Sequence, residues 1–176
     1  MDLRQFWRAT AAATIFAIAL CGFSGTQVAQ AKSKAPLGYQ LLCMRTPSEC
    51  QGGGAGVVKA GDETLGLLKR VNTTINRTIA PRSDGVSDRW QSDVTSGDCE
   101  DYVLAKRRAL IEAGLSPSAL RIARVVTSSG EGHAVLVVKT TKGDFVFDNL
   151  DGRVRVLAQI GYRIVSMSGA DPREWS

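Results

Sequence analysis

Three residues of this chain could together perform acyl transfer: Cys99 to attack a carbonyl, His133 to take the thiol proton, and Asp148 to orient the imidazole. Cys99 lies in the string Gly97-Asp98-Cys99-Glu100-Asp101-Tyr102, between two carboxylates and with a third just beyond. His133 is the one histidine of the chain. Neighbouring anions favour the neutral thiol, so the setting is at first sight wrong for a nucleophile. Two features can reverse that. A helix N-terminus stabilises a thiolate, and a histidine cation lowers a cysteine's pKa by several units from ~8.5. Residues 98 and 100 flank Cys99 at about 100° per step round a helix, so their side chains can point away from the sulfur. Singly, each residue has a bland reading: a small buried cysteine, a structural histidine, a turn aspartate. Their conjunction in the order Cys, His, Asp points to catalysis.

A helix and a hairpin must position these side chains. A helix begins near Cys99. Asp98 can cap it, Glu100 and Asp101 occupy its first turn, and Gly114 stops it. An earlier helix spans Asp62 to Ala80, with Leu65, Leu68, Val71, Ile75 and Ile79 at helical spacing, and Pro81 ends it. Beyond Gly114 the pattern turns to strands at 121–127, 133–141, 145–147, 154–156 and 162–167, with hairpin signals at Lys142-Gly143 and Asp151-Gly152. A turn at Lys142-Gly143 sets Asp148 opposite about residue 137 and His133 opposite about residue 152, a drift that a bulge absorbs. Lys32 to Ala60 reads as irregular, with Pro36, Pro47 and the run Gly52-Gly53-Gly54. Arg82 to Ser96 reads as a polar loop around Trp90. The layout is α+β, with N-terminal helices packed on an antiparallel β-sheet.

The chain has 176 residues and a net charge of +5. Its first 31 residues read as a signal peptide: Arg4 and Arg8 form a basic start, Ala9 to Cys21 an apolar run too short to span a bilayer comfortably, and Ala29-Gln30-Ala31 a cleavage site. An uncleaved N-terminal anchor is the alternative. A lipoprotein signal fits less well, because Leu20 before Cys21 is bulky. Cleavage leaves residues 32–176, long enough for a proper core, with no stable membrane insertion and export to the periplasm. The basic residues are scattered and no aromatic stripe runs among them, which argues against nucleic acid as a partner. Export implies an oxidising compartment. Cys43 and Cys50, with Pro47 turning the chain between them, form the natural disulfide. Cys99 is then left over, as an intermolecular bridge or a reactive thiol.

The strings Gly97-Asp98-Cys99-Glu100-Asp101-Tyr102, His133-Ala134-Val135-Leu136-Val137 and Phe147-Asp148-Asn149-Leu150 resemble the bacterial transglutaminase-like cysteine peptidases, a group that includes the periplasmic LapG-type proteases. Asn72 and Asn76 on the first helix and Trp90 ahead of the cysteine support the resemblance, which runs from about Pro36 to Ser168. It implies a papain-like, transglutaminase-like α+β fold and a Cys99, His133, Asp148 triad acting through a thioester acyl-enzyme. In LapG-type members the acids flanking the cysteine bind calcium. Asp98 and Glu100 match those positions, and Asp101 lies near enough to help. Carboxylate oxygens suit such a hard cation, which would also neutralise the acids beside the thiol. Helix capping accounts for the same acids without a metal. The resemblance further implies oxyanion donors at the Cys99 backbone N–H and near Trp90, although Trp90 fits equally as core.

By resemblance the substrate would be a protein, such as a large surface adhesin, and an inner-membrane receptor could regulate the enzyme. The stretch Trp90 to Ser96 is shorter than in many relatives and lacks their Pro-Glu, so substrate identity does not carry over. Three readings follow. One is an exported, calcium-dependent cysteine endopeptidase. The second is a transglutaminase or amidase with the same triad. The third is a non-catalytic module that binds calcium or a partner.

Overall fold

The computed structural model describes residues 32–85 and 87–176. The expected signal peptide, residues 1–31, lies outside the described residues. Three α-helices occur among them: α1 (Leu37–Arg45), α2 (Asp62–Thr78) and α3 (Cys99–Glu112). Strands β1 (Ala80–Pro81) and β2 (Ser96–Gly97) form a small parallel pair. Strands β3 (Leu120–Val126), β4 (Gly132–Thr140), β5 (Gly143–Phe147), β6 (Arg155–Val156) and β7 (Arg163–Met167) form an antiparallel sheet in the order β6-β5-β4-β3-β7. The α+β expectation is met.

Helix α3 is the central element. It packs on α2 on one side and on β4 on the other. Alanines and straight-chain residues give it good helix propensity, and Glu100 and Asp101 suit the dipole in its first turn. Gly114 ends it at φ +90°, a left-handed conformation that glycine adopts freely. The sheet is buried on both faces, as the unbroken apolar run of β4 requires. Ala134, Leu136, Val138 and Phe147 meet Leu68, Val103, Leu104 and Leu110 of the helices. Val135, Val137 and Val146 face the other way, under Leu157, Ile160, Tyr162 and Met167.

Four sequence expectations need correction. Lys32 to Ala60 is not irregular throughout: α1 and a short 3₁₀ turn, Pro47–Cys50, lie within it. Helix α1 buries Tyr39 and Leu42 but leaves Leu37, Leu41 and Met44 exposed. Apolar residues thus occur all round it, and no polar face marks it as a helix. Its Gly38 is required, because a Cβ there would collide with the Asp88 carbonyl and the Trp90 indole. Second, α2 stops at Thr78, since Ala80-Pro81 leaves the helix to pair with Ser96-Gly97. That pairing brings the polar loop back to the start of α3. Third, the scattered basic residues are not all at the surface: Lys106 and Arg107 are both fully buried.

The fourth correction concerns the hairpin. Thr140 pairs with Gly143 and Leu136 with Phe147, so the turn is Thr141-Lys142, one residue earlier than expected. Thr140 fixes it, its hydroxyl donating to the Gly143 carbonyl at 2.7 Å and accepting from Lys142 N–H at 3.1 Å. Continuing this register sets Asp148 level with Val135. Asp148 is then a diagonal neighbour of His133 on one strand face, and no bulge is needed to bring them together.

Cys43 and Cys50 are joined as expected, with Cα atoms 5.5 Å apart, and Cys99 is free. Arg107 clamps the loop to α3, donating to the carbonyls of Glu49 at 2.7 Å and Gln51 at 2.9 Å. Alkylation of the processed protein without reductant should therefore label Cys99 alone. Cys43→Ser with Cys50→Ser should lower stability by about 2 kcal/mol, the entropy scale of so short a loop. An unchanged melting temperature would show that the Arg107 clamp suffices.

Candidate active site

Helix α3 presents Cys99 at its first residue, half-buried. The local backbone is set by Gly97 and Asp101. A Cβ at Gly97 would overlap the Asp101 carboxylate. Asp101 is buried and accepts a hydrogen bond from the Gln91 N–H at 2.8 Å. Burial pushes its carboxyl up to about 6, with the Gln91 and Asp98 amides holding it down in part. Asp101 thus ties the loop before α3 to the first turn of α3. Trp90 is core: its indole N–H donates to Asp88 at 2.8 Å and its ring stands edge-on to Tyr39.

His133 and Asp148 meet directly, Nε2 to Oδ1 at 2.8 Å, with both side chains buried. Asp148 has two further donors, the Leu150 N–H at 2.9 Å and the Tyr162 hydroxyl at 2.8 Å. Burial alone would raise its pKa. The hydrogen bonds from His133, Leu150 and Tyr162 outweigh that and leave it below the ordinary value. With Nε2–H spent on this carboxylate, the neutral ring carries its lone pair on Nδ1, free to accept a proton.

Cys99 also feels the same strand: the amide of Ala134, the residue after His133, favours its thiolate. Its own hydrogen bond goes to Glu100 Oε2 at 2.9 Å, not to the imidazole. Burial, then the charge of Glu100 and its hydrogen bond, push the Cys99 pKa well above the ordinary thiol value. Burial first, and the flanking acids with it, therefore keep the thiol protonated in this state.

One of those acids, Asp98, does not cap the helix. Asp98 occupies the N-cap position of α3 but its side chain makes no capping hydrogen bond. It contacts Glu100 instead. Burial and that contact, with the charges of Glu100, Asp101 and Asp84, push the Asp98 carboxyl up to about 7. Two carboxylates in contact share a proton or need a cation. Among the described residues no three His, Cys, Asp or Glu side chains are grouped to hold a metal ion.

Cavities open against both halves of the site. One of about 300 Å³ is lined by Glu100, Asp88, Trp90 and Arg124. Another of about 270 Å³ is lined by Asp148, Tyr162, Arg153 and Arg155.

Sequence reasoning missed Tyr162. It bonds Asp148 and stands edge-on to His133, ring centroids 6.1 Å apart. Its hydroxyl is pushed up to about 12 by burial and the Asp148 bond, so it stays a donor. Tyr162→Phe should cost about tenfold in kcat/KM with little change in melting temperature, the scale of one hydrogen bond to a charged group. A rate equal to wild type would make the contact structural only.

Asn72 and Asn76 hold the chain after β5. Asn76 Nδ2 donates to the Asp148 carbonyl at 2.8 Å. Asn72 Nδ2 donates to the Gly152 carbonyl at 3.2 Å and the Asp151 carbonyl at 3.4 Å.

Comparison with known structures finds Legionella pneumophila LapG in a calcium-bound form at 24% identity, covering 64% of this chain and 68% of that chain, with a TM-score of 0.55. An EGTA-treated form of LapG aligns at 20% identity and a TM-score of 0.52, over 64% of this chain and 66% of that one. These are likenesses of fold. Comparison with curated proteins finds no match. The profile of the bacterial transglutaminase-like cysteine proteinases (BTLCP) matches residues 29–176. The chain therefore belongs to the bacterial transglutaminase-like cysteine proteinase family and is a cysteine peptidase of transglutaminase-like type.

Proposed function

We propose that residues 32–176 form an exported cysteine endopeptidase in which Cys99 is the nucleophile, His133 the general base and Asp148 the residue that orients His133. The observation that carries this reading is the 2.8 Å bond between His133 and Asp148, with His133 on the strand against which the Cys99 helix packs. Nδ1 takes the thiol proton, and the sulfur adds to the scissile carbonyl. The backbone N–H of Cys99 faces the developing oxyanion. Imidazolium then protonates the leaving amine, leaving a thioester that water hydrolyses with His133 again as base.

Asp98 and Glu100 are the residues that would hold calcium. Their fit rests on an uncapped Asp98 carboxylate in contact with Glu100, and on oxygen ligands being what this cation takes. When bound, the ion would neutralise the carboxylates that hold the thiol protonated. Asp101 is committed to the Gln91 amide and stands outside this pair.

A protein substrate follows from the family. A surface adhesin cleaved in the periplasm, under control of an inner-membrane receptor, is the extension that the LapG-type resemblance supports. No helix among the described residues is long and apolar enough to cross a membrane. The test is to incubate the protein with calcium and a surface-protein extract and sequence the new N-termini, with and without a primary amine. New N-termini dependent on Cys99, with little amine incorporated, support hydrolysis. Amine incorporation without cleavage would favour the transglutaminase reading, and neither product would favour the binding module.

A further inference from the structure

Three guanidiniums from three separate segments line one cavity of about 270 Å³. Arg45 comes from the last turn of α1, Arg89 from the loop between β1 and β2, and Arg108 from α3. The same loop supplies Gln91 and Asp93 to the wall. None of these residues takes part in the chemistry proposed for Cys99 and His133.

One of the three charges is met within the fold. Arg108 donates Nε to Glu49 Oε1 at 2.9 Å, and its Nη2 contacts the same carboxylate and the Ser92 hydroxyl. Arg45 donates Nη2 to the Trp90 carbonyl at 3.2 Å, a neutral acceptor that leaves its charge uncompensated. Arg89 is exposed, and of its donors the backbone N–H alone is engaged among the described residues, with Asp84 at 3.2 Å. Two cations then share the cavity with one carboxylate, Asp93. Like charges brought to one cavity repel. The helix dipole accounts for Arg45 in the last turn of α1, but no such reason places Arg89 beside it. An oxyanion held between them offsets the repulsion, and guanidinium forks match carboxylate and phosphate oxygens in pairs. The Thr46 hydroxyl and the Gln91 carboxamide line the same cavity and are neutral donors. The volume lies just below the roughly 300–1,000 Å³ of small-ligand sites, which suits a single acidic group.

We infer that this cavity is an oxyanion-binding site, which takes a carboxylate or phosphate group between Arg45 and Arg89. Two sources supply that chemistry: an acidic side chain of a polypeptide, and a free inorganic anion. The site adjoins the chain that leads into α3, since the Gln91 backbone N–H donates to Asp101 in the first turn of that helix at 2.8 Å. The inference goes beyond the proposed peptidase activity and does not depend on Cys99 being a nucleophile.

The test is a titration of the ¹⁵N-labelled processed protein at constant ionic strength with three probes: a blocked tetra-glutamate peptide, its tetra-glutamine counterpart, and inorganic phosphate. Saturable shifts of the Thr46, Arg89 and Gln91 amides are expected with the glutamate peptide or with phosphate, and none with the glutamine peptide. Arg89→Gln should weaken that binding about tenfold, the scale of one charge-assisted hydrogen bond. Its side chain is exposed and unbonded among the described residues, so this variant should fold as wild type does. Tighter binding of the glutamate peptide than of phosphate supports the site with an acidic polypeptide as its source. The reverse order supports it with a free anion. No saturable shift with either anion overturns the inference. Binding that is unchanged in Arg89→Gln, or that the glutamine peptide reproduces, overturns it equally.

Discussion

His133→Ala is expected to lower peptide hydrolysis by roughly 10³-fold, and Cys99→Ala to abolish it. The size follows from how little else favours the thiolate. Burial and Glu100 both oppose it, and against them stands the Ala134 amide. Removing the imidazole takes away the proton acceptor and the later proton donor together. Asp148→Ala should cost less, about 10² to 10³-fold, because the ring remains but loses its fixed tautomer. These residues act as a unit, so His133→Ala with Asp148→Ala should be scarcely worse than His133→Ala alone. Independent, multiplying effects would show that the pair does not work through one ring. The variants should stay folded: His133 and Asp148 stand at one end of the sheet, and the core of β4 is the apolar run behind them.

Calcium removal should have the second large effect. A chelator is expected to abolish hydrolysis and to lower the melting temperature by about 5–10 °C, taking a ligand at a hundredfold excess over its dissociation constant as worth ~2.7 kcal/mol. Asp98→Ala with Glu100→Ala should remove that sensitivity. Without calcium the double variant should melt no lower than wild type, because the wild-type carboxylates lie in contact and repel. This sign separates the metal role from helix capping. Loss of a cap would destabilise the protein with or without chelator, by about 1 kcal/mol. Equal melting curves for wild type with and without chelator would remove calcium from the account.

The residues with local signatures were legible in the sequence. Cys99 follows a capping position, His133 opens an apolar run, and Asp148 closes another, so helix start and strand ends could be read from composition. The disulfide was legible because Pro47 turns a short loop. What could not be read depends on contacts between distant segments. Tyr162 reaches Asp148 because β7 pairs with β3 at the far side of the sheet from β6, and no local pattern specifies that order. Lys106 sits in Lys106-Arg107-Arg108, which looks like a solvated basic stretch, yet α2, β4 and the disulfide loop bury its first two members. The hairpin register turned on one threonine: Thr140 closes the turn one residue early, and that single step sets Asp148 beside His133. The acids beside Cys99 read equally as cap or ligand in the sequence, and only the folded helix shows that Asp98 makes no capping bond.

The most direct test of the central claim is the rate at which iodoacetamide labels Cys99 at neutral pH in the presence of calcium, in wild type and in folded His133→Ala. Pairing of thiol and imidazole predicts labelling well above that of an unperturbed thiol at ~8.5, and a fall of about tenfold or more in the variant. Equal rates in the two folded proteins would show that Cys99 and His133 are not paired, and the catalytic triad would be wrong.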